Sequence, residues 1–454
     1  MDSFIINAGT PLTGELTLSG SKNAALPIMA ATLLTTDKVV LRNVPDLADI
    51  RHLAQMLETL GTRVHRDLDG SLHIQTIDES NCVARYDFVR KMRAGISVLG
   101  PLLAKRRRAV VSLPGGCNIG DRPINLHIKG VKALAADVQL NEGYIDARSP
   151  RLTGAEIFLG GPFGSTVLGT ANIMSAAVLA QGTTVIESAA CEPEIVDLAN
   201  FLNRLGARIT GHGTPRITIE GVHELHGADY TIISDRIEAG TFMAAAAITK
   251  GQLTIRNCPA AHLLAVIDRL RKIGVHVETQ NRDLRVAADT RLKPTDLTTQ
   301  PYPGFPTDLQ AQVMALLSLA DGNSIITEKI FPDRFMHIAE LNRMGANLRK
   351  EGPTVIVQGV PRLIGAPVMA SDLRASAALV LAALVAEGQT TILRVYHIDR
   401  GYEHIEKKLN ALGADIQRVK ESQTDTPVPI LFPPPPLPVQ PPASTPRRKP
   451  APRR

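Results

Sequence analysis

Leu205-Gly206-Ala207-Arg208-Ile209 decides how this chain is read, because it recurs. The same events, an apolar helix face, a small-residue break and a β-branched or apolar residue, appear as Leu60-Gly61-Thr62-Arg63-Val64. A weaker copy is Leu134-Ala135-Ala136-Asp137-Val138, with Ala in place of Gly. Ile273-Gly274-Val275-His276-Val277, Met344-Gly345-Ala346-Asn347-Leu348 and Leu412-Gly413-Ala414-Asp415-Ile416 complete the set. The breaks at 61, 135, 206, 274, 345 and 413 follow one another at intervals of 74, 71, 68, 71 and 68 residues. Composition alone does not keep such spacing, so one unit is written six times.

Outward from each break the units read alike. An Ala-rich helix comes first, as in Ala24–Leu34, Ala171–Ala180, Ala239–Thr249 and Ala375–Ala386. A strand follows: Lys38–Leu41, Ala109–Ser112, Thr183–Glu187, Gln252–Arg256, Asn323–Thr327 and Gln389–Leu393. A loop then leads to an amphipathic helix that stops at the break, where a C′ glycine belongs, and another strand begins. The first helix is apolar nearly all round and is expected inside; the second has one apolar face and is expected outside. Six such α/β units with helices inside predict two domains of three units each, with a cleft between them. The buried helices exclude a TIM barrel. The expected boundaries are 1–21 plus 234–420 for one domain and 22–233 for the other, with 421–454 as a disordered tail.

That tail holds twelve of the 31 prolines, including Pro433–Pro436, and favours polyproline II over a packed core. Phe432–Pro436 also reads as a ligand for a proline-recognition domain. The tail accounts for much of the net charge of +6: six basic and two acidic residues lie from Lys420 onward, leaving about +2 on the body. With 4% aromatic residues and no Trp, a nucleic-acid partner is not expected. Four widely spaced cysteines (Cys82, Cys117, Cys191, Cys258) argue against a disulfide scaffold or structural zinc site and for a reducing compartment. The N-terminus lacks a secretory pattern, and the apolar run Ala377–Ala386 is too short to span a bilayer. A cytoplasmic protein with no membrane partner is expected.

Cations recur where helices are expected to open: Lys22 before Asn23-Ala24-Ala25, Arg236 after Asp235, Arg334 after Asp333, Arg374 after Asp372-Leu373 and Arg400 after Asp399. A helix dipole disfavours a cation at its N-terminus by a few tenths of a kcal/mol to about 1 kcal/mol. A bound anion, held by helix N–H groups and these side chains, would account for all five. The competing reading is that each cation pairs with the neighbouring Asp.

Leu113-Pro114-Gly115-Gly116-Cys117-Asn118-Ile119-Gly120-Asp121-Arg122-Pro123 places one thiol in a polar Gly/Pro loop beside Arg122, a setting that lowers a thiol's pKa and favours thiolate. The other cysteines have no such surroundings. In Phe305-Pro306-Thr307-Asp308-Leu309-Gln310, Asp308 reads either as a helix N-cap or as a general base on a substrate hydroxyl. Gly160-Gly161-Pro162-Phe163-Gly164-Ser165-Thr166 is a weaker candidate for cradling phosphate.

At these residues the chain resembles the UDP-N-acetylglucosamine 1-carboxyvinyltransferases, enolpyruvyl transferases that open bacterial peptidoglycan synthesis. The resemblance rests on Gly20–Pro27, Leu113–Pro123, Phe305–Gln312, Asp372–Ser376 and His397–Glu403, and covers roughly residues 3–420. It implies the two-domain inside-out α/β barrel shared with the enolpyruvylshikimate-phosphate synthases. It implies phosphoenolpyruvate and UDP-N-acetylglucosamine as substrates, inhibition by fosfomycin, and no metal or other cofactor. By the same resemblance, Lys22, Arg122 and Arg400 hold the phosphate and carboxylate of phosphoenolpyruvate. Asn23, Arg93, Arg122, Pro123, Ile124, Asn125, Leu126, Asp308 and Ile330 line the sugar-nucleotide site. Cys117 donates a proton to the enol carbon and traps phosphoenolpyruvate covalently, Asp308 takes the proton of the sugar 3-hydroxyl, and Arg334, Asp372 and Arg374 support the closed state. Two departures stand out: Gly160–Thr170 replaces the family's usual Ser-Val-Gly-Ala-Thr, and Asn125 stands where an acid is often found.

Three alternatives are weighed. Transfer to shikimate 3-phosphate is disfavoured by the Cys117 loop. A catalytically silent binder of UDP-sugars is disfavoured by the full set of catalytic positions. A basic nucleic-acid binder is disfavoured by the charge placement.

Overall fold

A computed structural model of the chain describes residues 2–115, 123–289 and 291–420. Cys117 and Arg122, like the Pro-rich tail 421–454, lie outside the described residues.

Each of the six breaks ends an outer helix. Ala48–Thr59, Asn125–Ala133, Pro193–Arg204, Leu264–Ile273, His337–Arg343 and Ile405–Ala411 stop one or two residues before them. Gly61, Ala135, Gly206, Gly274, Gly345 and Gly413 have φ of 82°, 67°, 106°, 102°, 88° and 105°. This left-handed turn lets the next amides fold back on the last helical turn. Gly206 N donates to Asn203 O at 3.0 Å, and Ala207 N to Leu202 O at 3.0 Å. Of the six, Ala135 alone bears the strain of a side chain there.

Six four-stranded sheets, among the described residues, share one plan. A central strand pairs parallel with a short edge strand on one side and antiparallel with a third strand on the other, which pairs antiparallel with a fourth. The central strands are Val39–Arg42, Arg108–Ser112, Thr183–Glu187, Gln252–Arg256, Asn323–Thr327 and Gln389–Leu393, close to the expected spans. In three sheets a partner is remote in sequence, and in one of them Asp229–Thr231 is the edge beside Val39–Arg42. Asp2–Asn7 lies between Gln389–Leu393 and Asp415–Lys420, and Thr13–Thr17 is the edge beside Gln252–Arg256.

The inner helices are Lys22–Ala31, Leu99–Arg106, Val167–Ala177, Arg236–Ile248, Gln310–Leu317 and Leu373–Ala383. Every residue of Arg236–Ile248 and of Gln310–Leu317 is buried. A helix satisfies its own backbone groups, so an Ala-rich one can be enclosed on all sides without orphaned polar atoms. Apolar side chains gather in two cores. One draws on residues between Ala24 and Ile232, the other on Phe4–Leu18 together with residues between Ile237 and Ile416. The chain crosses between them twice, and the crossings pair: Ser21 N donates to Ile233 O at 2.7 Å and Asp235 N to Ser19 O at 2.9 Å. Gly20 is required there, since a Cβ would stand 1.7 Å from Asn43 O. No helix among the described residues is long and apolar enough to cross a membrane.

Candidate active site

All five cations at the expected helix starts meet carboxylates, but not the neighbouring ones. Those neighbours are otherwise engaged. Asp235 and Asp372 cap helices by accepting backbone N–H groups, Asp333 lies 3.5 Å from Lys350, and Asp399 accepts from Arg418 at 2.5 Å. Lys22, Arg236 and Arg374 do stand in the first turns of helices, whereas Arg334 precedes His337–Arg343 by a short loop and Arg400 ends the 3-10 helix Val395–Arg400.

Two carboxylates, one buried and one half-buried, organise four of the five. The first is Asp49, in the first turn of Ala48–Thr59 and 3% exposed. Its Oδ1 accepts from Arg400 Nε at 2.9 Å, and its Oδ2 lies 3.3 Å from Lys22 Nζ and 3.4 Å from an Arg400 Nη. Burial pushes the Asp49 carboxyl up, but Lys22 and Arg400 outweigh it and hold the group below its ordinary value. Ser21 fixes Lys22 by capping that helix, its hydroxyl accepting from Ala24 N at 3.3 Å.

The second is Asp308, in the 3-10 turn Thr307–Leu309 that leads into Gln310–Leu317. It does not cap that helix; its side chain faces cations instead. Oδ1 accepts from Arg334 Nη1 at 2.8 Å, and Oδ2 from Arg374 Nε and Asn23 Nδ2, each at 3.4 Å. Burial is the largest influence on this carboxyl and raises it. Arg334, Arg374 and Lys22 together prevail and hold it far below the usual carboxylate range. Asn23 follows Lys22 in sequence, so the two centres adjoin. Arg374 is 1% exposed, and its guanidinium lies 5.1 Å over the Tyr402 ring. Both Nη atoms meet no hydrogen-bond acceptor among the described residues. The Tyr402 hydroxyl is within 2.8 Å of Thr241 Oγ1 and accepts from Gln312 Nε2 at 3.1 Å.

The fifth cation belongs elsewhere. Arg236 makes a two-pronged pair with Glu194, Nε to Oε1 at 2.9 Å and an Nη to Oε2 at 3.2 Å.

The other expected site residues lie on these elements. Arg93 opens the 3-10 helix Arg93–Val98, and Pro123 and Ile124 lead into the helix that Asn125 and Leu126 begin. Gly160–Gly161 and Gly164–Ser165 form a small hairpin, and Thr166 caps the following helix by accepting from Gly169 N. A Cβ on Gly161 would lie 3.2 Å from Leu126 Cδ1, so the hairpin packs over the 123–126 segment. Ile330 N donates to Glu328 Oε1 at 2.8 Å. Of the other cysteines, burial pushes the Cys258 thiol up to about 12, and burial likewise raises Cys191.

Sequence reading missed two residues. Asp49 shares the buried stripe of its helix with Leu53, Met56 and Leu57, and an acid on an apolar stripe signals a paired buried carboxylate. Glu328 is fully buried and accepts from Thr299 Oγ1 at 2.6 Å, Thr307 Oγ1 at 2.8 Å, Ile330 N at 2.8 Å and Phe331 N at 3.0 Å. Thr307 Oγ1 in turn accepts from Arg334 Nη1 at 3.1 Å, which links Glu328 to the Asp308 centre.

The family model for EPSP synthase (3-phosphoshikimate 1-carboxyvinyltransferase) matches residues 6–409. Among curated relatives, the UDP-N-acetylglucosamine 1-carboxyvinyltransferase of Methylacidiphilum infernorum is 54% identical over 419 residues, 92% of this chain and 99% of the relative. Its counterpart in Lawsonia intracellularis is 54% identical, covering 93% of this chain and all of the relative. Among solved structures, the enolpyruvyl transferase NikO from Streptomyces tendae superposes with a TM-score of 0.84 at 26% identity, over 93% of this chain and 99% of that one. An EPSP synthase from Acinetobacter baumannii shares the fold with a TM-score of 0.72 at 18% identity, over 92% of this chain and all of that one.

Proposed function

The chain belongs to the UDP-N-acetylglucosamine 1-carboxyvinyltransferase family, within the EPSP synthase-like transferases, and on that premise we propose that it moves the enolpyruvyl group of phosphoenolpyruvate to the 3-hydroxyl of UDP-N-acetylglucosamine. The observation that carries this reading to the site is the convergence of Lys22, Arg334, Arg374 and Arg400 on two adjoining carboxylates, Asp49 and Asp308. Such a concentration of cations suits a trianionic substrate and a phosphate product.

In this reading the sugar oxygen bonds to C2 of phosphoenolpyruvate while C3 gains a proton from Cys117 and the hydroxyl proton passes to Asp308. A tetrahedral phospho-ketal results. Loss of a C3 proton and cleavage of the C2–O bond to phosphorus restore the double bond and release phosphate. Lys22, Arg122 and Arg400 bear the growing phosphate charge. Arg93, the Pro123–Leu126 segment, Asn23 and Ile330 line the sugar-nucleotide side. Held by Arg334 and Arg374, Asp308 is a weak base; it gains basicity as substrate anions draw those guanidiniums away. Asp372 serves by fixing the helix start that carries Arg374.

The two cores correspond in this reading to two domains, 1–21 plus 234–420 and 22–233, closing over substrate about the paired crossings. The reaction belongs to peptidoglycan synthesis in the cytoplasm, where both substrates are made. The deciding experiment measures phosphate release from phosphoenolpyruvate with UDP-N-acetylglucosamine and, separately, with shikimate 3-phosphate. Release with the sugar nucleotide alone is expected; release only with shikimate 3-phosphate overturns the proposal, and release with neither favours a silent binder.

A further inference from the structure

Asp49 stands in the first turn of its helix and also between two cations of this centre. It is buried, and it is one negative charge shared by two cations. Lys22 belongs to a helix in one apolar core, and Arg400 ends the 3-10 helix Val395–Arg400, whose Val395 and Ile398 belong to the other. Both carboxylate oxygens are engaged, Oδ1 by Arg400 Nε and Oδ2 by Lys22 Nζ and an Arg400 Nη. The carboxylate is held in place from behind, because Ile50, Leu53, Met56 and Leu57 anchor its helix in the core. The approach of the two segments is fixed a second time just upstream, where Asp46 N donates to Glu403 Oε1 at 3.1 Å.

A carboxylate so placed is itself an anion bound where cations from both cores converge. We propose that Asp49 is a positioning residue that acts as an internal counter-anion: it aligns Lys22 and Arg400 in the empty site, competes with substrate phosphate for their donors, and recovers them as product phosphate leaves. This rests on the reading of Lys22 and Arg400 as phosphate ligands. The arriving phosphate carries more charge than Asp49 and takes these donors over; on departure the carboxylate is already within reach to take them back. Asp49 therefore weakens phosphate binding and speeds its release. A purely structural pairing predicts the opposite sign, since disordering Lys22 and Arg400 loosens phosphate.

Asp49→Asn keeps the shape and an acceptor while removing the charge. Inorganic phosphate, used as product inhibitor against phosphoenolpyruvate, should bind this variant about tenfold more tightly, the value of one charge-assisted hydrogen bond no longer contested. Turnover should fall as phosphate release slows, and the KM for the sugar nucleotide should stay unchanged. Unchanged or weaker inhibition by phosphate overturns the proposal. Should loss of the Asp49 charge unfold the variant, saturating phosphate restores its fold; a variant that stays unfolded in phosphate also overturns the idea. Lys22→Ala separates the two layers of inference. If it loosens phosphate while Asp49→Asn fails to tighten it, the counter-anion alone is wrong; if Lys22→Ala leaves phosphate binding unchanged, the assignment of the phosphate site fails with it.

Discussion

Replacing Glu328 by alanine tests whether a buried carboxylate outside the reacting groups supports the site. Glu328 is fully buried at the end of the strand Asn323–Thr327 and accepts four hydrogen bonds, from the hydroxyls of Thr299 and Thr307 and the amides of Ile330 and Phe331. Hydrogen bonds to a charged acceptor contribute roughly 1.5–3 kcal/mol each, and a buried donor left without a partner costs about 1–3 kcal/mol. The Thr299 hydroxyl is enclosed, while the amides of the half-buried residues 330 and 331 can turn to water. Some of the loss is therefore recovered, and Glu328→Ala should destabilise the fold by about 3 kcal/mol. Glu328→Gln keeps one acceptor oxygen but sets an N–H donor toward one hydroxyl. Thr307 Oγ1 already accepts from Arg334, so its own proton then has nowhere to go, and about half the destabilisation should remain. Urea unfolding of the three proteins reads both values. Because Thr307 steers Arg334 toward Asp308, the KM for the sugar nucleotide should rise in both variants. A loss below about 1 kcal/mol in Glu328→Ala, with KM unchanged, would mean that Glu328 does not support the site.

Ala135→Gly should stabilise the chain by about 0.5–1 kcal/mol in the same assay, because Ala135 is the break residue that holds a φ of 67° with a side chain. Burial raises Asp197 to about 6, against the opposing hydrogen bond from the Tyr230 hydroxyl at 2.6 Å. The native state keeps that proton where the unfolded chain has released it, so stability should fall as pH rises from about 4 to about 6; Asp197→Asn should flatten that slope and gain about 1–3 kcal/mol above pH 7, and a slope unchanged in the variant would show that another group sets it. Arg400→Ala should raise the KM for phosphoenolpyruvate by roughly ten- to a hundredfold and that for the sugar nucleotide far less, since it removes a charge-assisted contact to one anion; equal rises would mark Arg400 as a partner of Asp49 only.

The repeat and most of the local structure follow from short-range signals in the chain. Six breaks at near-constant spacing end six outer helices because a left-handed C′ residue is a short-range requirement, met by glycine wherever the chain must turn. The central strands and the enclosed Ala-rich helices were legible for the same reason: period and composition act within a few residues. The cations of the site were legible as types, though of the four only Lys22 and Arg374 stand at helix starts. Their partners were not. Arg400 and Asp49 are 351 residues apart, Arg374 and Asp308 are 66, and the carboxylates adjacent in sequence are spent on caps and surface pairs. The interleaving of the first strands with the last sheet was hidden likewise, since Asp2–Asn7 carries no mark of pairing with Gln389–Leu393 and Asp415–Lys420. An ion pair or a strand register is decided by which distant surfaces the cores bring together, and burial then makes the choice binding, because a charge removed from water must find its counter-charge in the fold.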